Sequence, residues 1–536
     1  MRRFLAALFA VVLAAPLGIR APASAAVAHV LRFSDGLDVA TLNPLLATSG
    51  NIAGLGQLTM AHFTHFDEHG ALVPELITVI PSLANGGISR DGLSITYHLR
   101  AGVKWSDGAP FDAGDVVYTV SAILNRGNNI SAREAWDHVK GASASGKYTV
   151  TFHLKSPYSP FASSFFSSNT PSCVLPKHIL GGSPIFNDAP YNALPVGIGP
   201  FRYTAFRREE AVEMEANPYY FRGRPKLDKI VYKIVPEENT LYTQLQTGEL
   251  DLWASVGGTF ADRVGQIPNV RAIKMTSAYI SAIYFNTQAP TLRDPAVRRA
   301  LRLATDRRFL LHDVYHDAGT LAESVVPRIS TDYDAALPQA PYDPAGAERL
   351  LDAAGWRRGN GGVRAKDGVP LTINFVIPSG YAPSALTTEI LRAAWGKIGV
   401  DVEVKSYAMG TYFAPTAAGG ILATGKFDAA LLSLSGQVLA DVTQDYGCPY
   451  APPNGFNETR YCNHAVDAAM DAYDRSYDPK RRAVLARLFQ QQIDADAPGI
   501  IIYERDFIYA FNRGLTGFAP TGFAPFDHFM NVDLVP

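Results

Sequence analysis

Three Asp-Pro pairs in the second half of the chain, Asp294-Pro295, Asp343-Pro344 and Asp478-Pro479, each precede a stretch with apolar residues at helical spacing. Asp accepts hydrogen bonds from the free N–H groups of a first helical turn, and Pro at the first helical position has no N–H to leave unpaired. The pattern predicts three helices. One presents Val297, Ala300, Leu301 and Ala304; one presents Ala347, Leu350, Leu351 and Ala354 and stops at Gly355; one presents Leu485, Phe489 and Ile493. Between them lie short apolar runs, Leu371 to Ile377, Val400 to Val404, Ala429 to Leu434 and Ile500 to Tyr503. Strands alternating with helices in this way predict α/β units with mainly buried strands.

The first third reads differently. Ile95, Tyr97 and Leu99 alternate with polar residues, Asp107-Gly108 supplies a turn, and a second alternating run, Val150, Phe152 and Leu154, follows Gly146-Lys147. A helix should start at Asp112, with Asp115 three residues on in capping-box spacing. At 536 residues the prior is about three to four domains. No repeat, low-complexity tract or Gly/Ser linker separates them, so the domains should be joined by strands and interleaved. With 48 basic and 50 acidic residues, no basic excess points to nucleic acid.

Met1-Arg2-Arg3, twelve apolar residues from Phe4 to Ala15, the breakers Pro16 and Gly18, and Ala23-Ser24-Ala25 have the form of a secretory signal peptide over residues 1–25. The apolar run is shorter than the ~20 residues that span a bilayer. Its removal takes Arg2, Arg3 and Arg20 from the 48 basic residues and no acid, leaving 45 against 50. Cysteine is absent from the first 172 residues, so the expected product is exported and released without a lipid anchor. Export permits a disulfide. Cys448 and Cys462 bracket a Pro/Gly/Asn-rich loop, and closing it would stabilise by ~3 kcal/mol on a chain-entropy model. Cys173 then reads as a small buried hydrophobe.

Nucleophile-elbow, phosphate-loop and zinc-protease patterns are absent. Gly197-Ile198-Gly199-Pro200 and Gly54-Leu55-Gly56 each lack the third glycine of a dinucleotide loop. His62, His65 and His69 could seat a metal if they shared a helix face, but Asp67-Glu68-His69-Gly70 reads as a turn, and no metal site or cofactor is expected. His312 and His316, and the set Arg298, Arg299, Arg302, Arg307 and Arg308, read as solvated helix faces. An exported chain of this length without a catalytic motif tilts toward binding.

A series of phrases then resembles the family 5 extracellular solute-binding proteins, the peptide/nickel receptors of ABC importers. It opens with Leu42-Asn43-Pro44 and continues with Tyr97-His98-Leu99-Arg100-Ala101-Gly102-Val103-Lys104-Trp105-Ser106-Asp107-Gly108, followed by Phe111 and Asp115-Val116-Val117-Tyr118. Gly197 to Phe201, Asn217-Pro218-Tyr219-Tyr220, Gly248-Glu249-Leu250-Asp251, Phe285-Asn286-Thr287, Asp294 to Leu301, Tyr342-Asp343-Pro344 to Gly355-Trp356, and Asp496-Ala497-Pro498 follow in family order. The resemblance implies an α/β, two-lobed, type II periplasmic binding protein-like fold with an extra inserted α+β domain. Carried over, lobe I is 27–59, 178–276 and 505–536, the inserted domain is 60–177, and lobe II is 277–504. It also implies hinge closure on a solute and delivery to a membrane permease, in the periplasm, by a monomer and not an enzyme.

Most of the matching phrases shape hairpins and helix starts. For the ligand, peptide-binding relatives use an acidic lobe II residue to hold an α-amine. The similar stretch here is Gly436 to Asp441, followed by Asp445-Tyr446, with Asp441 as the match and Gln437 in place of the usual aromatic. The competing role for Asp441 is to cap the next segment. Thr48, Ser49, Gly50 and Asn51, then Trp253 and Ala254, Tyr284, Tyr446 and Trp136 complete the candidate pocket, each with a core role as its alternative. The expected ligand is a peptide. A metal chelate, haem or oligosaccharide on the same fold is the next reading, and an exported hydrolase a distant third.

Overall fold

The computed structural model describes residues 29–47, 50–133 and 135–535. The signal segment 1–25 and the candidates Thr48 and Ser49 lie outside the described residues.

One eleven-stranded sheet organises the chain. Two long antiparallel strands, Val270–Phe285 and Gly499–Asn512, run through its middle. Their pairing is regular from Val270↔Asn512 to Thr276↔Asp506, breaks, and resumes at Ile280↔Glu504. On one side of the break the sheet continues through Leu252–Trp253, Val30–Ser34, Lys229–Lys233, Ala211–Ala216 and Phe201–Arg207. On the other it continues through Ala429–Ser435, Thr372–Pro378 and Asp401–Tyr407. The apolar runs named from sequence lie in these strands, and helices cover them.

The three Asp-Pro helices form at Pro295–Leu303, Pro344–Ala353 and Pro479–Asp496, each with the Asp side chain accepting a first-turn N–H. Asp112 and Asp115 form a reciprocal capping box at the start of Ala113–Leu124. That helix packs beside a separate three-stranded antiparallel sheet, Ser94–His98, Thr149–Leu154 and Val139–Ala144. Gly199 is glycine because a Cβ there would stand 2.5 Å from the Thr59 carbonyl carbon.

The arginine cluster corrects the reading of a solvated face. Arg298 and Arg307 are buried. Arg298 donates to the carbonyls of Asp496, Ala497 and Leu292 at 2.7–3.2 Å, satisfying the exposed end of the helix Pro479–Asp496. Arg307 pairs with Glu323 at 2.5 Å, and Arg302 with Asp494 at 2.6 Å. Carbonyls at a helix end must be satisfied when buried, and a guanidinium with five donors does this for several at once. The histidines do not converge on one helix face: His62 and His65 are buried at the strand Thr64–Phe66, and His69 sits exposed in the turn. No helix among the described residues is long and apolar enough to cross a membrane.

Candidate ligand cleft

The direction of the strands locates the cleft. Thr372–Pro378, Asp401–Tyr407 and Ala429–Ser435 are mutually parallel, and Ser435 pairs with Tyr279 at the register break. Their carboxyl ends therefore all point toward the break. Val30–Ser34, Lys229–Lys233 and Leu252–Trp253 are also parallel, and Trp253 pairs with Ala510 as the chain runs toward the same break. In open α/β sheets ligands bind outside the carboxyl ends of strands. Here two such edges face one junction, so the loops leaving these ends form the walls.

Asp441 lies in the loop after Ala429–Ser435. It is half-buried, and its carboxylate accepts the Tyr158 hydroxyl at 3.0 Å and the Thr443 N–H at 3.2 Å. The capping role expected of Asp441 is thus seen at Thr443, and its carboxylate also meets Tyr158 of the segment 60–177. Tyr158 belongs to the segment 60–177, and its neighbour Ser159 donates its N–H to the Asp474 carbonyl at 2.5 Å and its hydroxyl to the Tyr473 carbonyl at 3.2 Å. Asp474 is buried, accepts the Thr443 hydroxyl at 2.9 Å, and has one carboxylate oxygen without a partner. Burial and the charge of Asp441 push its carboxyl well above the ordinary range. His138 stacks on Tyr158 at 4.3 Å and is held below its usual value by burial. The result is a carboxylate-rich patch walled by aromatic rings, suited to a cation.

A second group of residues stands at the break itself. Tyr279 and Phe507 pack at 5.4 Å, and the Arg505 guanidinium lies 5.9 Å from the Phe507 ring. Gly50, exposed at the start of the helix Gly50–Thr59, has its missing Cβ direction 3.4 Å from the Tyr279 hydroxyl. Glu238, after Lys229–Lys233, accepts the Gly257 N–H. Sequence reasoning missed Tyr158, Tyr279, Glu238 and Arg505. The signal that finds them is position just beyond a strand's carboxyl end or at the register break, which is visible only once pairing is known.

Four aromatic candidates are corrected. Tyr284 pairs with Ala430, five residues before the cleft end of its neighbour at Ser435, roughly 17 Å away along the strand. It is buried with Tyr446, whose hydroxyl lies 3.5 Å from its own, beside a cavity of about 20 Å³ that also meets Arg302 and Arg307. That volume holds about one water. Trp253 is fully buried against Phe260, and Trp136 is buried against Phe165 and Phe166 with its indole N–H donated to Ser172 at 3.1 Å. These rings fill cores because an apolar ring is worth more buried than exposed. Ala254 is buried at the strand end, donating to the Ser34 carbonyl at 2.8 Å. Asn51 is buried and donates to the Asp38 carbonyl and the Tyr232 hydroxyl. Cys448 and Cys462 are joined in a disulfide, and Cys173 is buried and free.

Comparison with known proteins places this geometry. Residues 78–448 match the model for the bacterial extracellular solute-binding proteins, family 5, middle region. The chain is 32% identical to protein XP55 of Streptomyces lividans over 446 residues, 82% of this chain and 77% of that one. It is 26% identical to the oligopeptide-binding protein AppA of Bacillus subtilis over 487 residues, covering 89% and 86%. The fold is similar to that of the same AppA solved with a nonapeptide, with a TM-score of 0.79 at 24% identity over 95% of this chain and 99% of that one. It is also similar to NikZ of Campylobacter jejuni solved with Ni(L-His), with a TM-score of 0.80 at 24% identity over 94% and 99%. A two-lobed α/β fold, strand ends converging on one junction and a family match across most of its length make this chain a member of the family 5 bacterial extracellular solute-binding proteins.

Proposed function

We propose that this protein is the exported receptor of an ABC importer for peptides, capturing them in the cleft and delivering them to a membrane permease. Lobe I comprises 27–59, 178–276 and 505–536, lobe II comprises 277–504, and 60–177 is the inserted domain that closes over the ligand. The register break between Thr276 and Ile280 is the hinge. Two strands without regular pairing there can absorb a change of backbone angle while both lobes stay packed. The receptor acts as a monomer in the periplasm, free of the membrane.

The observation that carries the reading is the Asp441 carboxylate, standing at a strand end beside the buried Asp474 and contacted from the inserted domain by Tyr158. A peptide α-ammonium would add charge and donors to a patch in which one Asp474 carboxylate oxygen has no hydrogen-bond partner. Ligand contributes to closure only through its preference for the closed form, so a contact assembled from two domains is where that preference arises. Peptide-bound relatives, AppA among them, agree with this choice of solute.

A thermal-shift screen of residues 26–536 against di- to pentapeptides, their N-acetylated forms, oligosaccharides and metal chelates tests it. A ligand at about 100 times its Kd adds ~2.7 kcal/mol of stability, a visible rise in Tm. The expected result is stabilisation by free-amine peptides, abolished by N-acetylation and by Asp441→Asn. Stabilisation by chelates or sugars alone would overturn the peptide assignment.

A further inference from the structure

We propose that Arg505 is an anion-recognising residue of the cleft, placed to take a carboxylate of the solute, so that the receptor selects solutes bearing a carboxylate. This rests on the reading of the junction as a ligand cleft.

The position comes first. Arg505 lies in Gly499–Asn512 within the register break, where its carbonyl accepts the Ser277 hydroxyl at 2.6 Å. It is the first lobe I residue after the hinge, and its backbone also pairs with Gly319 of lobe II. Its electrostatic neighbours come from both sides: Glu238 follows the strand end of Lys229–Lys233, and Tyr381 follows the strand end of Thr372–Pro378. Burial raises both of those groups, and the charge of Arg505 opposes the rise in each. The Phe507 ring beneath the guanidinium gives it an apolar backing.

The second observation is that this charge is unspent. Arg32 is paired with Asp251 at 2.8 Å, Arg302 with Asp494 at 2.6 Å, Arg364 with Asp352 at 2.6 Å and Arg307 with Glu323 at 2.5 Å. Arg328, also near the hinge, is turned to Glu504 at 3.4 Å. Arg505 is half-buried and, among the described residues, has no carboxylate within ion-pair reach. Glu238, on which the charge of Arg505 acts, makes no ion pair with it and is met by the Gly257 N–H. A planar guanidinium fixed against a ring, with its donors free, matches the two oxygens of a carboxylate, and a lysine would not reproduce that fork.

The test measures Kd by calorimetry for wild type, Arg505→Gln and Arg505→Lys. The ligands are the best tripeptide from the screen, its C-terminal amide, and versions with and without an acidic side chain. The proposal expects that removing whichever carboxylate is engaged weakens wild type at least tenfold. Arg505→Gln should lose that discrimination, Arg505→Lys should recover part of it, and the melting temperature without ligand should not change. Peptides that bind through the α-amine but show no carboxylate preference, or a preference that Arg505→Gln keeps, overturn the proposal and leave the peptide reading intact. If no peptide binds, carboxylated chelates and sugar acids are compared with their neutral analogues. A carboxylate preference lost in Arg505→Gln upholds the inference while the peptide reading fails. Its absence, or no stabilisation by any carboxylated solute, overturns the inference.

Discussion

The Tyr158 hydroxyl donates a 3.0 Å hydrogen bond to the Asp441 carboxylate across 283 residues of sequence, tying the segment 60–177 to the loop after Ala429–Ser435. An ionised carboxylate has room for several donors, so the phenol and a ligand ammonium can share it. A hydrogen bond to a charged group contributes about 1.5–3 kcal/mol. Tyr158→Phe is therefore expected to weaken peptide binding about tenfold or more, through a faster dissociation rate, with little change in unfolding. Stopped-flow dissociation checks this. An unchanged rate would mean that the inserted domain does not hold the closed form through this contact.

Local physics made part of this structure legible from sequence. Asp112 and Asp115 form their capping box, and the Asp-Pro pairs open their helices, because every interaction in those motifs lies within one turn. At the candidate site, the loop of Asp441 is legible in its cap on Thr443, because that bond is local. Tyr284, Tyr446, Trp253 and Trp136 sit near motifs in sequence, but their burial depends on tertiary partners: strand neighbours for Tyr284 and Trp253, Phe165 and Phe166 for Trp136, and Tyr284 for Tyr446. Tyr284 faces Ala430 and not the strand end, and nothing within ten residues of it encodes that pairing. Arg505 was invisible for the same reason, since a cation reads as solvated until the register break beside it is known.

Arg307 and Glu323 make a buried pair, with side-chain exposures of 5% and 9%. Removing one partner of such a pair leaves an uncompensated charge, at a cost of about 3–5 kcal/mol. Arg302 also reaches Glu323, at 3.3 Å, which places the expected loss for Arg307→Ala at the lower end. Replacing both Arg307 and Glu323 by Met should cost less than the single change. Urea unfolding of the three proteins measures the ordering, and a double variant as unstable as the single one would refute it.

The Cys448–Cys462 bridge closes a loop of sequence separation 14 that begins just after Tyr446. For about 15 residues the loss of chain entropy in the unfolded state corresponds to ~3 kcal/mol. The Cys448→Ala/Cys462→Ala variant should unfold at lower urea by that amount. Asp441 precedes the loop and is held by Tyr158 and Thr443, so the variant's peptide affinity should stay within about threefold of wild type. A large affinity loss would show that the loop itself positions the cleft wall.

Stability should fall as pH rises from about 6.5 to about 8; below that, the buried His62 and His65, held down to about 3 and about 4, take protons only in the unfolded chain and act in the opposite sense. Burial pushes the carboxyl of Asp35 up to about 6, that of Glu504 to about 7 and that of Asp527 to about 8. Opposing contacts, the Tyr232 hydroxyl on Asp35 and Arg328 on Glu504, reduce these shifts without cancelling them. An acid whose folded pKa exceeds its unfolded value, ~4 for Asp or Glu, keeps its proton longer in the folded chain. Over that window the folded state binds more protons, so stability declines with rising pH and the decline ends above the highest folded pKa. Glu504 has no exposed surface and lies on the hinge strand opposite Ile280. Glu504→Gln should therefore be less stabilised than wild type on acidification from about pH 7 to 4.5, since it has no proton to take up. The measurement is the urea midpoint at several pH values for both proteins. Equal slopes would show that Glu504 is already ionised in the folded chain, through its contact with Arg328.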